Sequence, residues 1–340
     1  MDSLTDADPV THLKKPRDGT SQMFRKEIGG HNSHPVSLKV VVVGGAGFIG
    51  SHLVDALIER GHEVHVIDDL SGGKRENVNM RAMLHVVDMR DRGAVRPIVD
   101  GSSYVFHLAA LPRVQRSIDM PFETNDVNVN GLLSVLIAAR DAKVKRFIYS
   151  GSSSVYGDQE EMPLREDMPV NPKSPYGLQK LIGEQYAKVF SSVYGLPTVS
   201  LRYFSVYGPR FSTADGPYML VMGRFVEQRK NNQPLTITGD GTQTRDFTHV
   251  RDIVRANILA MEAEGLDTHE VFNIGAGRPI SVNDLARIIG GPVEYTPARI
   301  ESKHTYADNR KAKELLGWEP TVSFEEGIRE LKGLFGLFNT

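Results

Sequence analysis

A tyrosine and a lysine stand four positions apart in the segment SPYGLQK, residues 174–180. Ser174 suits a helix N-cap and Pro175 suits the first helical position, so the segment predicts the start of a helix. On that helix Tyr176 and Lys180 are neighbours, and an ammonium group beside a phenol lowers the pKa of the phenol. The pair therefore predicts a general base, although the same spacing is compatible with a tyrosine that only packs.

The residues on either side of this pair predict the elements that position it. Apolar residues recur downstream at steps of three and four. Ahead of the helix, RFIYSGSSSVYGD (residues 146–158) is typical of a buried strand that ends in a polar loop. Ligands of parallel sheets bind at the carboxyl ends of strands, so Ser152 is a candidate donor to a developing oxyanion. A serine-rich turn without a catalytic role has the same pattern. The face predicted for the helix consists of Leu178, Leu181, Ile182, Gln185, Val189 and Val193.

A phosphate-binding turn is predicted near the front of the chain. The segment LKVVVVGGAGFIGSHLVDALIERGHEVHVID, residues 38–68, reads as a strand, a glycine turn, a helix and a second strand. Gly44, Gly47 and Gly50 allow a tight turn and close approach to a pyrophosphate, which the helix N-terminus attracts. Asp68 ends the second strand, where a carboxylate accepts from a ribose hydroxyl and repels a 2′-phosphate. The motif therefore predicts NAD rather than NADP.

Two further strands are predicted to end beside the same cofactor. The segment MLHVVDMRD, residues 83–91, places Asp88 where it would face the adenine. The segment YVFHLAALPRV, residues 104–114, ends in the small residues Ala109 and Ala110, which would let a cofactor lie close. Ordinary polar strand ends have the same composition, so the alternative of a purely structural role stays open for both segments.

Composition excludes several classes of function. The chain has 340 residues, is 40% hydrophobic, has a formal net charge of −2 and contains no cysteine. The small net charge does not indicate a surface that binds nucleic acid or a membrane. The absence of cysteine excludes disulfides and thiolate chemistry. We expect a cytoplasmic protein with no metal site and no transmembrane helix. Residues 1–35 are expected to be a flexible tail, and the HNSH motif within them is assigned no function.

Taken together, these segments resemble the extended short-chain dehydrogenase/reductase family, and within it the NAD-dependent nucleotide-sugar epimerases and dehydratases. The resemblance covers about residues 38–335 and is carried by nine motifs in order: GGAGFIGSH, Asp68, HLAA, NVNG (128–131), SGSSSVYGD, SPYGLQK, RYFSVYGPR (202–210), TRDFTHVRD (244–252) and LLGWEP (315–320).

The resemblance implies roles for individual residues. Tyr176 would be the acid/base, Lys180 would hold the nicotinamide ribose, and Ser152 would contact the sugar hydroxyl. Family members that dehydrate or decarboxylate the sugar typically carry Asp or Glu in the serine loop, where this chain has Ser153 and Ser154. The resemblance therefore implies epimerisation at C4 through a 4-keto sugar, with tightly bound NAD recycled. The cofactor-binding residues would be Gly44, Gly47, Phe48, Ile49, Gly50, Asp68, Asp88, Met89, Ala109, Ala110, Asn128, Tyr176 and Lys180.

The substrate implied by the resemblance is a UDP-sugar. Arg245 and Arg299 match positions that bind the diphosphate, and Thr305 matches a residue that limits the pocket at the sugar 2-position. Threonine is small enough to admit UDP-N-acetylhexosamines as well as UDP-hexoses. Ser153 and Ser205 complete the expected substrate contacts, although the family usually has asparagine at position 205. A hydroxyl there also fits epimerases of UDP-glucuronate, although those members tend to add an arginine where this chain has Ser212.

The expected architecture is an α/β fold, a Rossmann-like doubly wound parallel sheet with a smaller, mostly C-terminal substrate lobe. We assign the NAD-binding domain to residues 36–204 plus about 246–275, and the nucleotide-sugar lobe to about 205–245 plus 276–335. The family resemblance implies a homodimer formed by helices within about 122–142 and 176–194. The alternatives to a UDP-hexose 4-epimerase are a UDP-glucuronate 4-epimerase or an epimerase of another nucleotide sugar, and then a dehydratase or a silent NAD-binding scaffold.

Overall fold

A parallel sheet of seven strands forms the centre of the part of the chain that the computed structural model describes, residues 37–211, 220–298 and 302–337. The order of its strands is β11-β6-β5-β4-β1-β2-β3. Short two-stranded pairs contain the other strands. In chain order the strands are β1 (Lys39–Val43), β2 (Glu63–Asp68), β3 (Met83–Val86), β4 (Tyr104–His107), β5 (Arg146–Ser152), β6 (Thr198–Tyr203), β7 (Val206–Tyr207), β8 (Leu235–Thr238), β9 (Thr244–Asp246), β10 (Thr248–His249), β11 (Glu270–Ile274), β12 (Pro279–Ser281) and β13 (Val293–Thr296).

The strand order reverses between β1 and β4. From β1 the chain adds β2 and β3 on one side, and then it returns to add β4, β5, β6 and β11 on the other side. A doubly wound sheet opens a crevice at this point, outside the carboxyl ends of the strands. The predicted Rossmann-like fold is confirmed, and the glycine turn follows the strand that borders the crevice.

Helices cover both faces of the sheet. α1 and α8 pack on one face, and α2, α5 and α6 pack on the other. The valine run of β1 is fully buried because Val40 and Val42 face the first layer while Val41 and Val43 face the second. The helices are α1 (Phe48–Glu59), α2 (Arg92–Val99), α3 (Val114–Asp119), α4 (Pro121–Asn125), α5 (Leu132–Asp141), α6 (Pro175–Tyr194), α7 (Val221–Lys230), α8 (Val250–Glu262), α9 (Val282–Ile289), α10 (Arg310–Leu316) and α11 (Phe324–Leu334).

The helix expected near 122–142 contains an irregular segment. α4 and α5 are joined by a π-helix over Asp126–Gly131, which the sequence pattern did not predict. π-Helical turns are rare and occur mostly at functional sites. This one contains Asn128, whose side chain reaches the loop after β4.

A second core belongs to the C-terminal half. It is built from α7, α9, α11 and the short strands, with Phe225, Phe247 and Leu285 among its buried members. β8 pairs with β13, β9 pairs antiparallel with β12, and β7 pairs with β10. This arrangement matches the irregular substrate lobe expected from the sequence, although the predicted domain boundaries stay a prediction. Within the described residues, no helix is both long and apolar enough to cross a bilayer.

The orientation of α6 differs from that of an ordinary surface helix. The apolar face identified in the sequence includes Leu178, Val189 and Val193, which are 49%, 47% and 64% exposed. The side of α6 that is buried against the sheet carries instead Gly177, Gln179, Lys180, Gly183, Glu184, Ala187, Phe190 and Ser191. Lys180 and Glu184 are buried there because they bond to the sheet, and Gln179 is buried because it bonds to Thr124 and Asn128. A periodicity argument does not detect such contacts.

A buried ion pair fastens α6 to the sheet. The carboxylate of Glu184 accepts from Arg202 in β6 at 2.9 Å and 2.6 Å, and both side chains are 4% exposed. Arg202 also donates to the hydroxyl of Tyr156 at 2.7 Å, and that hydroxyl donates to Asn273 in β11 at 2.7 Å. The network therefore connects the helix that carries Tyr176 with two strands and the serine loop.

Replacing one partner of this pair should destabilise the fold. We expect Glu184→Gln to lower the free energy of unfolding by about 3–5 kcal/mol, because it leaves a buried guanidinium without its counter-charge. Urea unfolding measured by circular dichroism tests this. The matched control is Glu319→Gln, which removes an exposed pair with Lys313 at 2.7 Å and should leave the free energy of unfolding nearly unchanged. Equal losses in the two variants would contradict the prediction.

Candidate active site

The glycine turn brings β1 and β4 into direct contact at the crevice. Gly44 has a φ of +85°, and a Cβ atom there would lie 2.6 Å from the backbone nitrogen of Ala109. A Cβ atom on Gly50 would overlap the carbonyl oxygen of Gly44. Only glycine allows this turn because both positions meet backbone atoms that have no room to move. α1 then begins after its N-cap residue, Gly47. Because glycine has no side chain, Gly47 does not cap the first N–H groups of the helix.

Asp68 lies at the end of β2, directly beside this turn. Its carboxylate accepts from the backbone N–H of Ala46 and from that of Leu70, each at 2.9 Å. Burial raises the pKa of Asp68, and these two hydrogen bonds oppose the increase. The turn and the helix N-terminus fit a pyrophosphate, and the carboxylate fits an adenosine ribose. These residues fit the dinucleotide that the sequence predicts.

Phe48 and Ile49 are the first residues of α1. Ile49 packs on the core of the sheet, while the Phe48 ring meets Phe211 edge-on, with the centroids 6.3 Å apart. One face of α1 therefore contacts the segment that enters the C-terminal lobe. Further along that face, Asp55 pairs with Arg210 at 2.8 Å.

Asp88 and Met89 lie in the loop after β3, which ends earlier than the sequence indicated. The carboxylate of Asp88 accepts from Arg90 at 2.5 Å, and this pairing lowers the pKa of Asp88. Arg90 also pairs with Asp126 at 2.6 Å. Met89 is buried against Gly131. The predicted adenine contact of Asp88 stays a prediction.

Asn128 positions the loop after β4, where Ala109 and Ala110 are half-buried. Its side-chain oxygen accepts from the backbone N–H of Leu111 at 2.7 Å, and its amide donates to Gln179 of α6 at 2.8 Å. Sequence reasoning missed Gln179, although its place next to Lys180 was a signal. The pair of amides connects the loop after β4 to the helix of Tyr176.

The structure brings Tyr176, Lys180 and Ser152 together. Lys180 is 4% exposed and donates to the backbone carbonyl of Ser150 at 2.7 Å. Its Nζ lies 6.0 Å from the centroid of the Tyr176 ring. The phenol of Tyr176 interacts with the side chain of Ser152, which acts to lower the pKa of the phenol. Ser152 also donates to the hydroxyl of Ser154 at 3.0 Å, and Ser153 is half-buried beside them.

Burial dominates the electrostatics of this group. Burial raises the pKa of Tyr176, and the interaction with Ser152 and the charge of Arg113 only oppose that effect. Burial also lowers the pKa of Lys180 to about 7. The physical reason is desolvation, which disfavours the charged form of both groups. That Lys180, together with the positive charge of an oxidised nicotinamide ring, favours the phenolate stays a prediction.

The backbone also holds Tyr176 in place through a residue that sequence reasoning missed. The N–H of Tyr176 donates to the hydroxyl of Ser117 in α3 at 3.0 Å. Ser174 caps the same helix by accepting from the N–H of Gly177 at 3.1 Å, as predicted. No sequence motif pointed to Ser117, because the contact spans 59 positions.

Two of the predicted substrate residues meet at one carbonyl group. Arg245 donates to the carbonyl oxygen of Thr244 at 2.8 Å, and the backbone N–H of Thr305 donates to the same oxygen at 3.3 Å. Ser205 is half-buried just beyond β6 and accepts through its carbonyl from the backbone N–H of Thr248 at 3.2 Å. Arg299 lies outside the described residues.

A buried carboxylate supports this part of the site. Asp246 follows Arg245 in β9 and is fully buried. It accepts from the backbone N–H groups of Ala276, Gly277 and Ala307 at 2.8, 2.9 and 3.0 Å. Burial raises the pKa of Asp246 to about 6, although these hydrogen bonds oppose the increase. The carboxylate therefore ties the strand of Arg245 to the segment that follows Thr305.

Comparison with known proteins assigns the family. The family model described as NAD dependent epimerase/dehydratase family matches residues 40–275. The chain belongs to this family. The matched range contains the glycine turn, Asp68, and the group of Ser152, Tyr176 and Lys180. The cofactor of this family is NAD.

Three known proteins are similar to this chain in sequence, and for two of them a solved structure is also similar. The UDP-glucose 4-epimerase of Thermotoga maritima, solved with UDP-glucose, is 40% identical, with a TM-score of 0.83 and coverage of 88% of this chain and 99% of its own. The UDP-N-acetylglucosamine 4-epimerase of Methanobrevibacter ruminantium, solved with UDP-N-acetylmuramic acid, is 38% identical, with a TM-score of 0.83 and coverage of 88% and 98%. The UDP-glucose 4-epimerase of Mycolicibacterium smegmatis is 36% identical, with coverage of 88% and 98%.

The glycine turn leads to a prediction about cofactor retention. We expect Gly50→Ala to retain about tenfold less NAD than the parent protein, because its Cβ would overlap the carbonyl oxygen of Gly44 and deform the turn. NAD released by denaturing the purified protein measures this. The control is Gly72→Ala, where a Cβ meets nothing within 4 Å. A folded Gly50→Ala protein with the parental NAD content would contradict the prediction.

Proposed function

We propose that this protein is a UDP-sugar 4-epimerase in which Tyr176 is the acid/base. The observation that carries the proposal is the group formed by Tyr176, Ser152 and Lys180 at the carboxyl end of β5, beside a glycine turn that fits NAD. The names of the three relatives described above support the same reaction. A silent NAD-binding scaffold has no physical need for a lysine buried beside a half-buried phenol.

The chain's own residues account for the proton transfers. The C4 hydroxyl of the sugar loses its proton to the Tyr176 phenolate while C4 becomes a ketone. When the opposite face of this ketone is reduced, Tyr176 returns the proton to the C4 oxygen. Bound NAD supplies a reversible hydride acceptor, so the reaction has no net redox change. We assign Ser152 to hold the C4 oxygen, because its side chain interacts with the phenol that would take the proton. NAD is expected to stay tightly bound and to be recycled.

The composition of the serine loop favours epimerisation over elimination. Removal of water or carbon dioxide requires a further acid or base near the sugar. At the corresponding positions the chain has Ser153 and Ser154, and Ser154 is engaged with Ser152 at 3.0 Å. A hydroxyl without an activating base is a weak base at neutral pH. The composition of the loop therefore favours a reaction that oxidises and then reduces the same carbon atom.

The substrate we propose is a UDP-hexose or a UDP-N-acetylhexosamine. We assign Arg245 to the diphosphate on the family resemblance, since guanidinium groups pair well with phosphate oxygens. Thr305 lies beside Arg245 on the Thr244 carbonyl and is a small residue for the sugar pocket. Arg299 is assigned to the diphosphate on the family resemblance alone.

A homodimer is the assembly that we propose. The face of α6 that carries Leu178, Val189 and Val193 is exposed in the single chain, and burial of such a face against a second copy would remove apolar surface from water. Homodimers are also the commonest oligomers.

The experiment that tests the reaction is proton NMR of the purified holoenzyme with UDP-N-acetylglucosamine, UDP-glucose or UDP-glucuronate and no added NAD. Appearance of the anomeric signal of the C4 epimer would establish the reaction and identify the sugar. Turnover of UDP-glucuronate alone would select the alternative substrate. Failure of all three sugars, with NAD shown to be present, would contradict the proposal.

Tyr176→Phe tests the assignment of the base. We expect kcat for epimerisation to fall about a thousandfold, because the phenyl ring cannot accept the C4 hydroxyl proton. NMR of product formation measures this, with NAD content as a check on folding. The matched control is Tyr194→Phe on the same helix, where the parent side chain is 50% exposed, and it should retain the parental rate. A Tyr176→Phe enzyme as fast as its parent would exclude the assignment.

Thr305→Tyr tests the sugar pocket. We expect the variant to lose turnover of UDP-N-acetylglucosamine by about tenfold or more relative to UDP-glucose, because a bulky side chain would crowd the N-acetyl group. The ratio of kcat/KM for the two sugars measures the effect. Thr305→Ser serves as the control and should keep the parental ratio. An unchanged ratio in Thr305→Tyr would show that this residue does not limit the pocket.

A further inference from the structure

The ammonium group of Lys180 faces a second aromatic ring, which belongs to Tyr149 in β5. Its Nζ lies over this ring, 5.0 Å from the centroid, and is 6.0 Å from the centroid of the Tyr176 ring. A cation within about 6 Å of an aromatic centroid is attracted by the electron-rich face of the ring. Lys180 is therefore held by a side chain of the sheet that sequence reasoning did not assign to the site.

The neighbours of Tyr149 fix the orientation of its ring. Tyr149 is 1% exposed, and its ring stacks on that of His107 in β4, with the centroids 6.0 Å apart. Its hydroxyl donates to the backbone carbonyl of Lys180 at 3.4 Å. A Cβ atom at Gly183 of α6 would overlap the same hydroxyl, so this glycine allows the helix to approach the ring. The ring is therefore held between β4 and α6.

The other groups around Lys180 compensate only partly for its burial. Its ammonium group donates to the carbonyl of Ser150 at 2.7 Å, and an ammonium group has three N–H donors. Glu184, one turn further along α6, is already paired with an arginine of β6. Burial lowers the pKa of His107 to about 3, so this neighbour is neutral near pH 7. Among the described residues, the ring of Tyr149 is therefore a main source of the negative potential that the buried ammonium needs.

We propose that Tyr149 is a positioning residue, which holds the Lys180 ammonium in place and keeps it charged through the face of its ring. The proposal rests on the proposed function, in which Lys180 supports the Tyr176 phenolate. A neighbouring lysine favours a phenolate only while the lysine carries its charge. Loss of the ring should therefore reduce the amount of base, although no residue that would touch the sugar is changed.

The first test compares holoenzymes of the parent, of Tyr149→Phe, which keeps a ring, and of Tyr149→Leu, which removes it. Burial lowers the pKa of Lys180 to about 7. Loss of the ring should move the titration of Lys180 to lower pH by about one unit. At pH 7 the charged fraction of Lys180, and kcat with it, should then fall about fivefold, with a smaller change in KM. Tyr149→Phe should keep the parental pH profile, because a phenyl face also attracts a cation.

Phe147→Leu on the same strand is the matched control. Phe147 is fully buried on the same face of β5, and its ring also stacks on His107, with the centroids 6.0 Å apart. Its replacement removes a similar apolar side chain but leaves the ring beside Lys180 in place. The control should therefore keep the parental titration of Lys180 and the parental pH profile.

A second measurement does not depend on turnover. In holoenzyme labelled with carbon-13 at lysine Cε, exposed lysines titrate at about pH 10. The Lys180 signal is identified by its titration near neutral pH and by its loss in Lys180→Met. A difluorinated phenylalanine at position 149 keeps the size of the phenyl ring and weakens its electron-rich face. The Lys180 titration should therefore move to lower pH relative to Tyr149→Phe, and this comparison decides the matter even if Tyr149→Leu does not fold.

The outcomes separate this proposal from the proposed function. Titration of Lys180 at the same pH with the phenyl and the difluorinated ring would overturn the role of Tyr149, as would an equal shift in Phe147→Leu. A shift confined to the variants that weaken or remove the ring face would support it. If the parent epimerises none of the UDP-sugars, the proposed function fails, and the titration of Lys180 still decides what Tyr149 does.

Discussion

The contact between Gly44 and Ala109 is the constraint on which the site depends. It places the end of β1 against the end of β4 at the point where the strand order reverses. A side chain at Gly44 would separate these strand ends and close the crevice in which a dinucleotide binds. The glycine turn, Asp68 and the loop after β4 all border that crevice, so their relative positions follow from this one close approach.

The acid/base group lies on the far side of the same crevice and is held from several directions. Lys180 is anchored on the carbonyl of Ser150, and the backbone of Tyr176 is anchored on Ser117. Behind them, the ion pair of Glu184 and Arg202 fastens α6 to β6. A phenol and an ammonium group that are buried together both favour their neutral forms. The site therefore needs positive charge from elsewhere to keep a base available, and an oxidised nicotinamide ring would supply it.

The C-terminal lobe is attached to the sheet through buried polar groups rather than through one continuous apolar core. Asp246 accepts from backbone groups on both sides of β9, and Asp252 of α8 accepts from the backbone N–H groups of Thr321 and Val322 at 2.9 Å and 3.0 Å. Each carboxylate connects segments that are far apart in sequence. Short motifs such as TRDFTHVRD therefore carry information about the fold, because their carboxylates hold loops together.

The sequence by itself determined the sheet, the glycine turn and the pairing of Tyr176 with Lys180. These depend on local patterns, namely a buried valine run, glycines before a helix and a spacing of four on that helix. Only the tertiary structure decided that α6 buries its polar side, that a π-helix brings Asn128 to Leu111, and that Ser117 contacts the backbone of Tyr176. It also showed that burial raises the pKa of Tyr176. These features depend on contacts between distant segments and on burial, and neither is encoded in the periodicity of a single segment.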